Sequence, residues 1–211
     1  PLVSIRGFSE IILTEAFGPL TEDQKEYLMT INTAAESMLT LVNDLLDVSV
    51  IESGKLELQL KDGSLKELLE GRVRIQSVVA DRKEIVIHTE FAEVPNVLFD
   101  PNRISQLIDN LIGNAIKFSP PGSNILVSLS QDGGMATISV KDEGPGISPE
   151  DQSRLFGEFQ RLSAQPTAGE KSTGLGLAIV KKIAEAHKGT VEVESQVGLG
   201  STFTFKIPLE M

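Results

Sequence analysis

The chain has 211 residues, no cysteine and a formal net charge of −11. Without cysteine it can form neither disulfides nor thiolate metal sites, and its acidity disfavours nucleic acid, which binds to basic surfaces. No apolar run approaches the roughly 18 residues of a membrane-spanning helix, so we expect no direct membrane contact from this segment. The chain begins at Pro1 without an initiator methionine, and we expect it to be a piece of a longer protein.

Residues 1 to about 55 predict a helical hairpin. In its first half, apolar residues recur at steps of three and four between Leu2 and Ala16, which is the spacing of one face of a helix. Gly18 and Pro19 follow this pattern, and both residue types end helices. The first helix is therefore predicted to reach about residue 16.

The second half of the hairpin predicts a long helix. Thr21 is followed three positions later by Gln24, the pattern of a capping box, and an apolar stripe with heptad spacing then continues to about Ser53. The apolar stripe could be covered in two ways: the hairpin could pack on the rest of the chain, or it could pack on a second copy of itself. Because the stripe is long and both helices carry it, we favour a homodimer whose two hairpins form a four-helix bundle.

From residue 56 onward, strands and helices alternate. N-cap residues mark helix starts at Ser64, Asp100 and Ser148. The predicted strands cover 56–60, 85–91, 125–130, 135–140, 190–195 and 201–207, and the predicted helices cover 65–81, 101–117, a short stretch after 148, and 174–187. This order predicts a two-layer α/β sandwich with helices on one face of a mixed sheet, so the whole chain is α+β. We place the domain boundary between 1–55 and 56–211, and interpret 163–173 as a lid rather than a passive surface loop.

Two asparagines on the helix predicted after Asp100 are candidate metal ligands. Asn110 and Asn114 are four residues apart, so their side chains share one helix face. Amide oxygens are hard ligands that suit Mg²⁺; Asn114 is the first choice, with Asn110 behind it. Lys117 lies one turn further on and can reach a phosphate as a point charge. The rest of this helix is largely apolar, and two asparagines there indicate a function rather than solvated positions.

A carboxylate beside two glycines forms a second candidate site. Asp142 follows a predicted strand and precedes Gly144 and Gly146. A carboxylate at this place can accept a hydrogen bond from the adenine amino group, which guanine does not present. Glycines allow the backbone to approach a flat ring closely. Alone, the pattern is also compatible with an ordinary turn after a strand.

Glycines also open the last predicted helix. Gly174 and Gly176 stand where free backbone N–H groups and the positive end of the helix dipole favour phosphate. By itself this pattern is weak, because many helices begin near glycine. Gly198 and Gly200, between the last two predicted strands, are interpreted as turn residues rather than ligands.

The order and spacing of these motifs resemble the catalytic domain of sensor histidine kinases, a branch of the GHKL ATP-binding superfamily. Phe156 and Phe159 match the phenylalanine box of that family, and Arg161 follows at its usual offset. Ser172 departs from the pattern, because the family usually has a further glycine there. By this resemblance, ATP would contact Asn110, Asn114, Lys117, Phe118, Asp142, Gly144, Gly146, Ile147, Phe159, Arg161, Lys171, Ser172, Thr173, Gly174, Leu175, Gly176 and Leu177.

The resemblance implies the core of a two-component protein-histidine kinase, with Asn110 and Lys117 as catalytic residues and Asn114 and Asn110 as Mg²⁺ ligands. Gyrase-like relatives carry a water-activating glutamate where this chain has Asn110, so transfer is favoured over hydrolysis. The parent protein would phosphorylate a histidine on the hairpin and pass the phosphoryl group to an aspartate of a response regulator receiver domain. The implied location is cytoplasmic, with anchoring of the parent in the inner membrane left open.

The phosphoacceptor histidine of the family is expected five residues before Pro1, outside this sequence. His88 and His187, the chain's two histidines, are interpreted as structural, with His187 as a cation suited to a helix C-terminus. We therefore expect the chain to bind ATP without phosphorylating itself. Two alternatives stay open: an acceptor-less scaffold that dimerises with and modulates another sensor kinase, and a GHKL serine kinase or ATPase.

Overall fold

The computed structural model describes residues 1–52, 57–160, 163–167 and 173–210, and the chain divides into two compact units, 1–52 and 53–211. The first unit is a hairpin of α1 (Leu2–Leu13) and α2 (Glu22–Glu52). None of the helices in the described ranges is both long and apolar enough to cross a bilayer.

The turn between α1 and α2 differs in part from its prediction. Helix α1 ends at Leu13, about three residues early, because Glu15 adopts a left-handed backbone conformation with φ of 59°. The predicted capping box is present: Thr21 N–H donates to Gln24 Oε1 at 2.9 Å, and Gln24 N–H donates to Thr21 Oγ1 at 3.2 Å. These reciprocal bonds satisfy two donors that the start of α2 would otherwise leave open.

The second unit is built on a mixed sheet, as predicted, and this sheet has five strands. Its strands, in chain order, are β2 (Val86–Phe91), β4 (Asn124–Asp132), β5 (Met135–Asp142), β6 (Thr190–Gln196) and β7 (Gly200–Pro208). A separate two-stranded sheet is formed by the short strands β1 (Lys61–Gly63) and β3 (Val97–Phe99). The order across the large sheet is β2-β4-β5-β7-β6, with β2 parallel to β4 and the other pairs antiparallel.

Helices cover one face of this sheet. They are α3 (Leu65–Ala80), α4 (Pro101–Phe118), the four-residue α5 (Pro149–Gln152) and α6 (Gly176–Ala186). Helix α4 packs between α3 and α6 and against β5, while α6 packs on β6 and β7. Alternate strand residues such as Ile125, Val127 and Leu129 are buried beneath the helices, and the opposite face carries polar residues such as Ser139 and Thr204. The site-bearing α4 is therefore the central helix of the layer.

The predicted N-caps are confirmed. Asp100 accepts from the backbone N–H groups of Asn102 and Arg103 at 3.0 and 3.2 Å, and Ser64 and Ser148 cap α3 and α5 in the same way. The strand predicted at 56–60 is wrong for its described part, 57–60, since β1 begins at Lys61. The predicted start of α6 at Gly174 is also wrong, because Gly174 has a φ of +73° and the helix begins two residues later.

His187 is structural, but the predicted cation is wrong. The ring is fully buried; its Nδ1 lies 2.8 Å from the Ile183 carbonyl, and its Nε2 accepts from the Asp100 N–H at 3.1 Å. A nitrogen that accepts a hydrogen bond carries no proton, so the proton is on Nδ1 and the imidazole is neutral. Burial lowers the pKa of His187 below its ordinary value of 6.5.

We expect the free energy of unfolding to decrease as the pH falls below 6.5, because the unfolded chain then binds a proton that native His187 does not. Denaturant unfolding at pH 7.5 and 5.5 measures this decrease in the free energy of unfolding. The difference between the two pH values should be smaller in His187→Gln and unchanged in the control His88→Gln. A native His187 NMR resonance that titrates at or above pH 6.5 would contradict the neutral assignment.

Candidate nucleotide-binding site

Helix α4 presents Asn110, Asn114 and Lys117 as half-buried side chains between the buried positions that form its core face. The neighbouring acid, Asp109, is turned to α3, where its carboxylate accepts from Arg72 Nε at 2.9 Å and Gln76 Nε2 at 3.1 Å. This ion pair directs the Asp109 carboxylate to α3 and away from the asparagines. The site face of α4 therefore carries amides and a cation, with its nearest carboxylate engaged elsewhere.

Asp142, the last residue of β5, is a buried carboxylate with one oxygen held by the backbone. The residue is only 5% exposed, and its Oδ1 accepts from Gly144 N–H at 2.8 Å and Ser201 N–H at 3.2 Å. Within the described ranges, Oδ2 receives no hydrogen bond. Burial raises the pKa of Asp142 although the two N–H donors oppose that rise. Oδ2 is thus available to accept a hydrogen bond from a donor on a ligand.

Two glycines bring the Asp142 loop against other parts of the unit. A Cβ on Gly144 would lie 3.2 Å from the Phe118 carbonyl oxygen, so this loop abuts the end of α4. Gly146 has a φ of +70°, and a Cβ there would lie 2.0 Å from the Gln196 carbonyl oxygen at the end of β6. The nearly buried Ile147 follows and donates its N–H to Ser195 Oγ at 2.8 Å. These contacts fix the loop between α4 and the β6–β7 hairpin.

The start of α6 lies against the asparagine face of α4. A Cβ on Gly176 would be 3.0 Å from Asn110 Oδ1, and Leu175 just before it is fully buried. Thr173 Oγ1 accepts from the Leu175 N–H at 3.3 Å, while Leu177 is half-buried. The first N–H groups of α6 therefore begin beside Asn110, as a phosphate site on this helix would require.

The structure brings several predicted site residues together in pairs. Phe118 meets Gly144, Asn110 meets Gly176, and a Cβ on Gly174 would lie 2.7 Å from the Gln160 carbonyl oxygen, next to Phe159. Phe159 is 60% exposed with a φ of 55°, and the Lys117 ammonium lies 5.8 Å from the Phe118 ring centre. Three predicted residues, Arg161, Lys171 and Ser172, lie outside the described residues.

Sequence reasoning missed Ser201 and understated Gly200. Gly198 and Gly200 do form the turn into β7, with φ of +84° and +93°. Gly200 also lies so close to β5 that a Cβ would be 2.0 Å from the Asp142 carbonyl oxygen, and the next N–H, that of Ser201, holds the Asp142 carboxylate. These contacts arise from the pairing of β5 with β7, which no local motif reveals.

Metal binding at this site would depend on amides. In the part of the chain that the structure describes, no three His, Asp or Glu side chains cluster as metal ligands. Mg²⁺ usually takes few protein ligands and completes its shell with phosphates and water. The amide oxygens of Asn110 and Asn114 fit that requirement. A metal ion that needs several carboxylate ligands would not fit this site.

Comparison with known families defines the class of protein. Residues 99–211 match the family described as histidine kinase-, DNA gyrase B- and HSP90-like ATPases. Residues 1–54 match the His Kinase A (phospho-acceptor) domain. The sandwich with its buried Asp142 is therefore an ATPase-like domain, and it follows a phosphoacceptor-type hairpin.

Individual relatives narrow the class. The circadian input-output histidine kinase CikA of Synechococcus elongatus is 39% identical over 99% of this chain and 28% of its own length. The full-length ShkA structure in complex with AMPPNP is 33% identical with a TM-score of 0.79, covering 99% of this chain and 43% of that one. The Acinetobacter baumannii histidine kinase AdeS is 28% identical with a TM-score of 0.72, covering 99% and 95%.

The chain belongs to the histidine kinase family and is a histidine kinase core, with a His Kinase A hairpin followed by an ATP-binding domain. It spans about a quarter of the length of the curated relatives it matches, 28% and 25% for two of them.

Proposed function

We propose that this chain binds Mg-ATP and that the full-length protein transfers the γ-phosphoryl group to a histidine on the hairpin, then to an aspartate of a response regulator. Residues 1–55 would serve dimerisation and phosphotransfer, and 56–211 catalysis. The observation that carries the proposal is Asp142, a buried carboxylate with one oxygen held by two N–H groups and the other open to a ligand donor. The similarity to ShkA, solved with AMPPNP, supports it.

The adenine end of the site would be formed by the Asp142 loop. Oδ2 of Asp142 would accept from the adenine amino group, and Gly144, Gly146 and Ile147 would line the ring. Phe118 would contact the nucleotide from the end of α4, where Gly144 already abuts it. A buried carboxylate discriminates strongly, because a base that offers no donor leaves it unpaired.

The phosphate end would be formed by α4 and the start of α6. Asn114, with Asn110 beside it, would bind Mg²⁺, and Lys117 would offset phosphate charge. The N–H groups of 173–177 would cradle phosphate oxygens, with Phe159, Arg161, Lys171 and Ser172 as further proposed contacts. Because the chain carries a net charge of −11, Mg²⁺ and these local cations would offset its repulsion of ATP. Catalysis is then mostly positioning and charge neutralisation.

The identity of residue 110 favours transfer over hydrolysis. An asparagine has no usable basicity, and the adjacent acid, Asp109, is paired with Arg72. Water near the γ-phosphate would thus have no general base from this helix. We therefore assign Asn110 and Lys117 to metal and phosphate positioning in phosphoryl transfer.

The hairpin would form the dimer and receive the response regulator. The apolar stripe predicted on α2 is partly exposed in the single chain, at Ile31, Met38, Val42 and Leu45. A second hairpin could cover this stripe and complete a four-helix bundle. Light scattering at micromolar concentration should give twice the mass of one chain, which Met38→Glu should halve. A single-chain mass for the unmodified protein would contradict the dimer.

Calorimetric titration of the whole chain tests the nucleotide proposal. We expect ATP to bind, Mg²⁺ to strengthen that binding, and GTP to bind much more weakly. With γ-³²P-ATP, the chain should acquire no acid-labile label, because neither His88 nor His187 lies on the hairpin. No heat with ATP and Mg²⁺ would contradict the binding site, while acid-labile label would contradict the structural assignment of the two histidines.

A further inference from the structure

The last turn of α4 has carbonyl groups that the following chain cannot satisfy. The carbonyls of Ile116 and Lys117 would normally accept from N–H groups four residues later, but those residues are Pro120 and Pro121. Proline has no N–H, so both acceptors need donors from elsewhere. The end of the helix that carries Lys117 therefore depends on groups from other parts of the chain.

Lys83 supplies one of these donors. It ends the short 3₁₀ turn Asp81–Lys83 after α3, and its ammonium lies 2.8 Å from the Ile116 carbonyl oxygen and 3.2 Å from that of Lys117. A positive charge at this place also complements the negative end of the helix dipole. Lys83 thus caps α4 from a neighbouring element.

Thr167 supplies the other donors. Its backbone N–H donates to the Lys117 carbonyl at 3.2 Å. Its hydroxyl oxygen lies 2.8 Å from the Ser119 carbonyl oxygen, 3.1 Å from that of Lys117 and 2.7 Å from the Lys83 ammonium. With a single proton, the hydroxyl donates to one carbonyl while it accepts from Lys83. We call Lys83 and Thr167, with the three carbonyls they contact, the α4 anchor.

The segment that ends at Thr167 is also held at its beginning. Ser163 donates its N–H to Asp151 Oδ2 at 3.1 Å, and its hydroxyl donates to the same oxygen. Asp151 is buried, and its other oxygen accepts from Arg154 at 2.9 Å. Ser163 and Thr167 are themselves exposed, so hydrogen bonds rather than apolar burial hold this segment in place.

The α4 anchor lies on the same helix as the proposed metal and phosphate ligands. Gly176 contacts α4 at Asn110, Thr167 contacts it at Lys117, and Asn114 lies between these points in sequence. A shift of the last turn would move Lys117 directly. A shift of Thr167 would move the segment 163–167 relative to that turn. Ligand sites lose affinity when supporting residues allow displacements on the order of 0.5 Å.

We propose that Lys83 and Thr167 are positioning residues for nucleotide binding, which act by fixing the last turn of α4 and the segment 163–167 against each other. This inference rests on the proposed function, because it requires that Lys117 contacts the phosphates. Neither side chain needs to touch the nucleotide itself.

The test compares variants of the whole chain for ATP affinity and thermal unfolding. Thr167→Val keeps the shape and removes the hydroxyl, Thr167→Ser keeps the hydroxyl, and Lys83→Met removes the ammonium. We expect Thr167→Val and Lys83→Met to weaken ATP binding about tenfold, with faster dissociation of a fluorescent ATP analogue. Thr167→Ser should bind nearly as wild type.

Gln165→Ala is the matched control, because Gln165 lies in the same exposed segment and has no hydrogen bond to any described residue; it should bind ATP as wild type. Unchanged affinity in Thr167→Val would overturn the inference. So would equal weakening in Thr167→Val and Thr167→Ser that follows a shared loss of thermal stability. If the wild-type chain does not bind ATP, the proposed function is wrong, and the inference that rests on it is wrong as well. If only the variant comparison fails, the inference alone is wrong.

Discussion

Replacing Asp142 with asparagine should weaken ATP binding about 10- to 100-fold while leaving the fold at least as stable. The amide oxygen can still accept from Gly144 and Ser201. The other atom becomes an N–H₂ donor, which would face the amino group of adenine in the proposed complex. Loss of a hydrogen bond to a charged group costs about 1.5–3 kcal/mol, and about 1.4 kcal/mol corresponds to tenfold in affinity.

The stability of this variant follows from the sign of the pKa shift. Burial raises the pKa of Asp142, so the native state favours the protonated form. Asp142 therefore contributes to the free energy of unfolding at a pH below its ordinary pKa. This contribution is lost as the pH rises through the raised pKa of the folded state. Above that value the ionised, buried carboxylate opposes folding, and a neutral amide removes that cost. Thermal unfolding should show an unchanged or higher midpoint.

Discrimination between bases provides the second readout. Guanine has a carbonyl where adenine has its amino group, so Asp142→Asn should narrow the preference for ATP over GTP. Glu143→Gln is the matched control, since Glu143 is exposed and its Oε2 accepts from the Asn124 N–H on the protein itself. That control should keep ATP affinity. An Asp142→Asn variant that binds ATP as tightly as wild type would show that Asp142 does not contact adenine.

Gly200→Ala should destabilise the chain by about 4 kcal/mol or more and abolish ATP binding with it. A Cβ at Gly200 would lie 2.0 Å from the Asp142 carbonyl oxygen and 3.2 Å from Glu143 Cα, and both are backbone atoms. The β5–β7 pairing must shift to relieve this contact, and Ser201, which holds the carboxylate, must shift with it. Circular dichroism during thermal unfolding measures the effect.

Gly198→Ala separates the contact from the backbone conformation. Gly198 lies in the same turn with a φ of +84°, but a Cβ at this position would have no atom within 4 Å beyond its chain neighbours. Alanine there should cost only about 1–2 kcal/mol, the ordinary penalty of a left-handed conformation. Equal midpoints for the two variants would mean that the close approach of Gly200 to Asp142 has no energetic consequence.

Local chemistry explains which elements could be predicted from the sequence. The capping box at Thr21 and the N-caps at Ser64 and Asp100 each depend on residues within a few positions, and each is present. The mixed sheet and the helix layer followed from the alternation of apolar patterns. The strand predicted at 56–60 is wrong in its described part because alternation of leucines did not come with a pairing partner.

Long-range contacts explain what the sequence could not reveal. His187 looked like a helix-end cation, yet it accepts from the N–H of Asp100, 87 residues away, and is neutral. The bond from Ser201 to Asp142 depends on strand pairing, and the contact of Thr167 with Lys117 on folding of the loop onto α4. The residues of the candidate site could be proposed from the sequence, but the groups that orient their side chains could not.

Crystallography of the chain with AMPPNP and Mn²⁺ tests the central claim most directly, because manganese can replace magnesium and is located by its anomalous scattering. We predict the adenine amino group within hydrogen-bond distance of Asp142 Oδ2 and an anomalous peak beside the Asn114 amide oxygen. Nucleotide bound elsewhere, or bound here with no metal near Asn114 or Asn110, would contradict the proposed site.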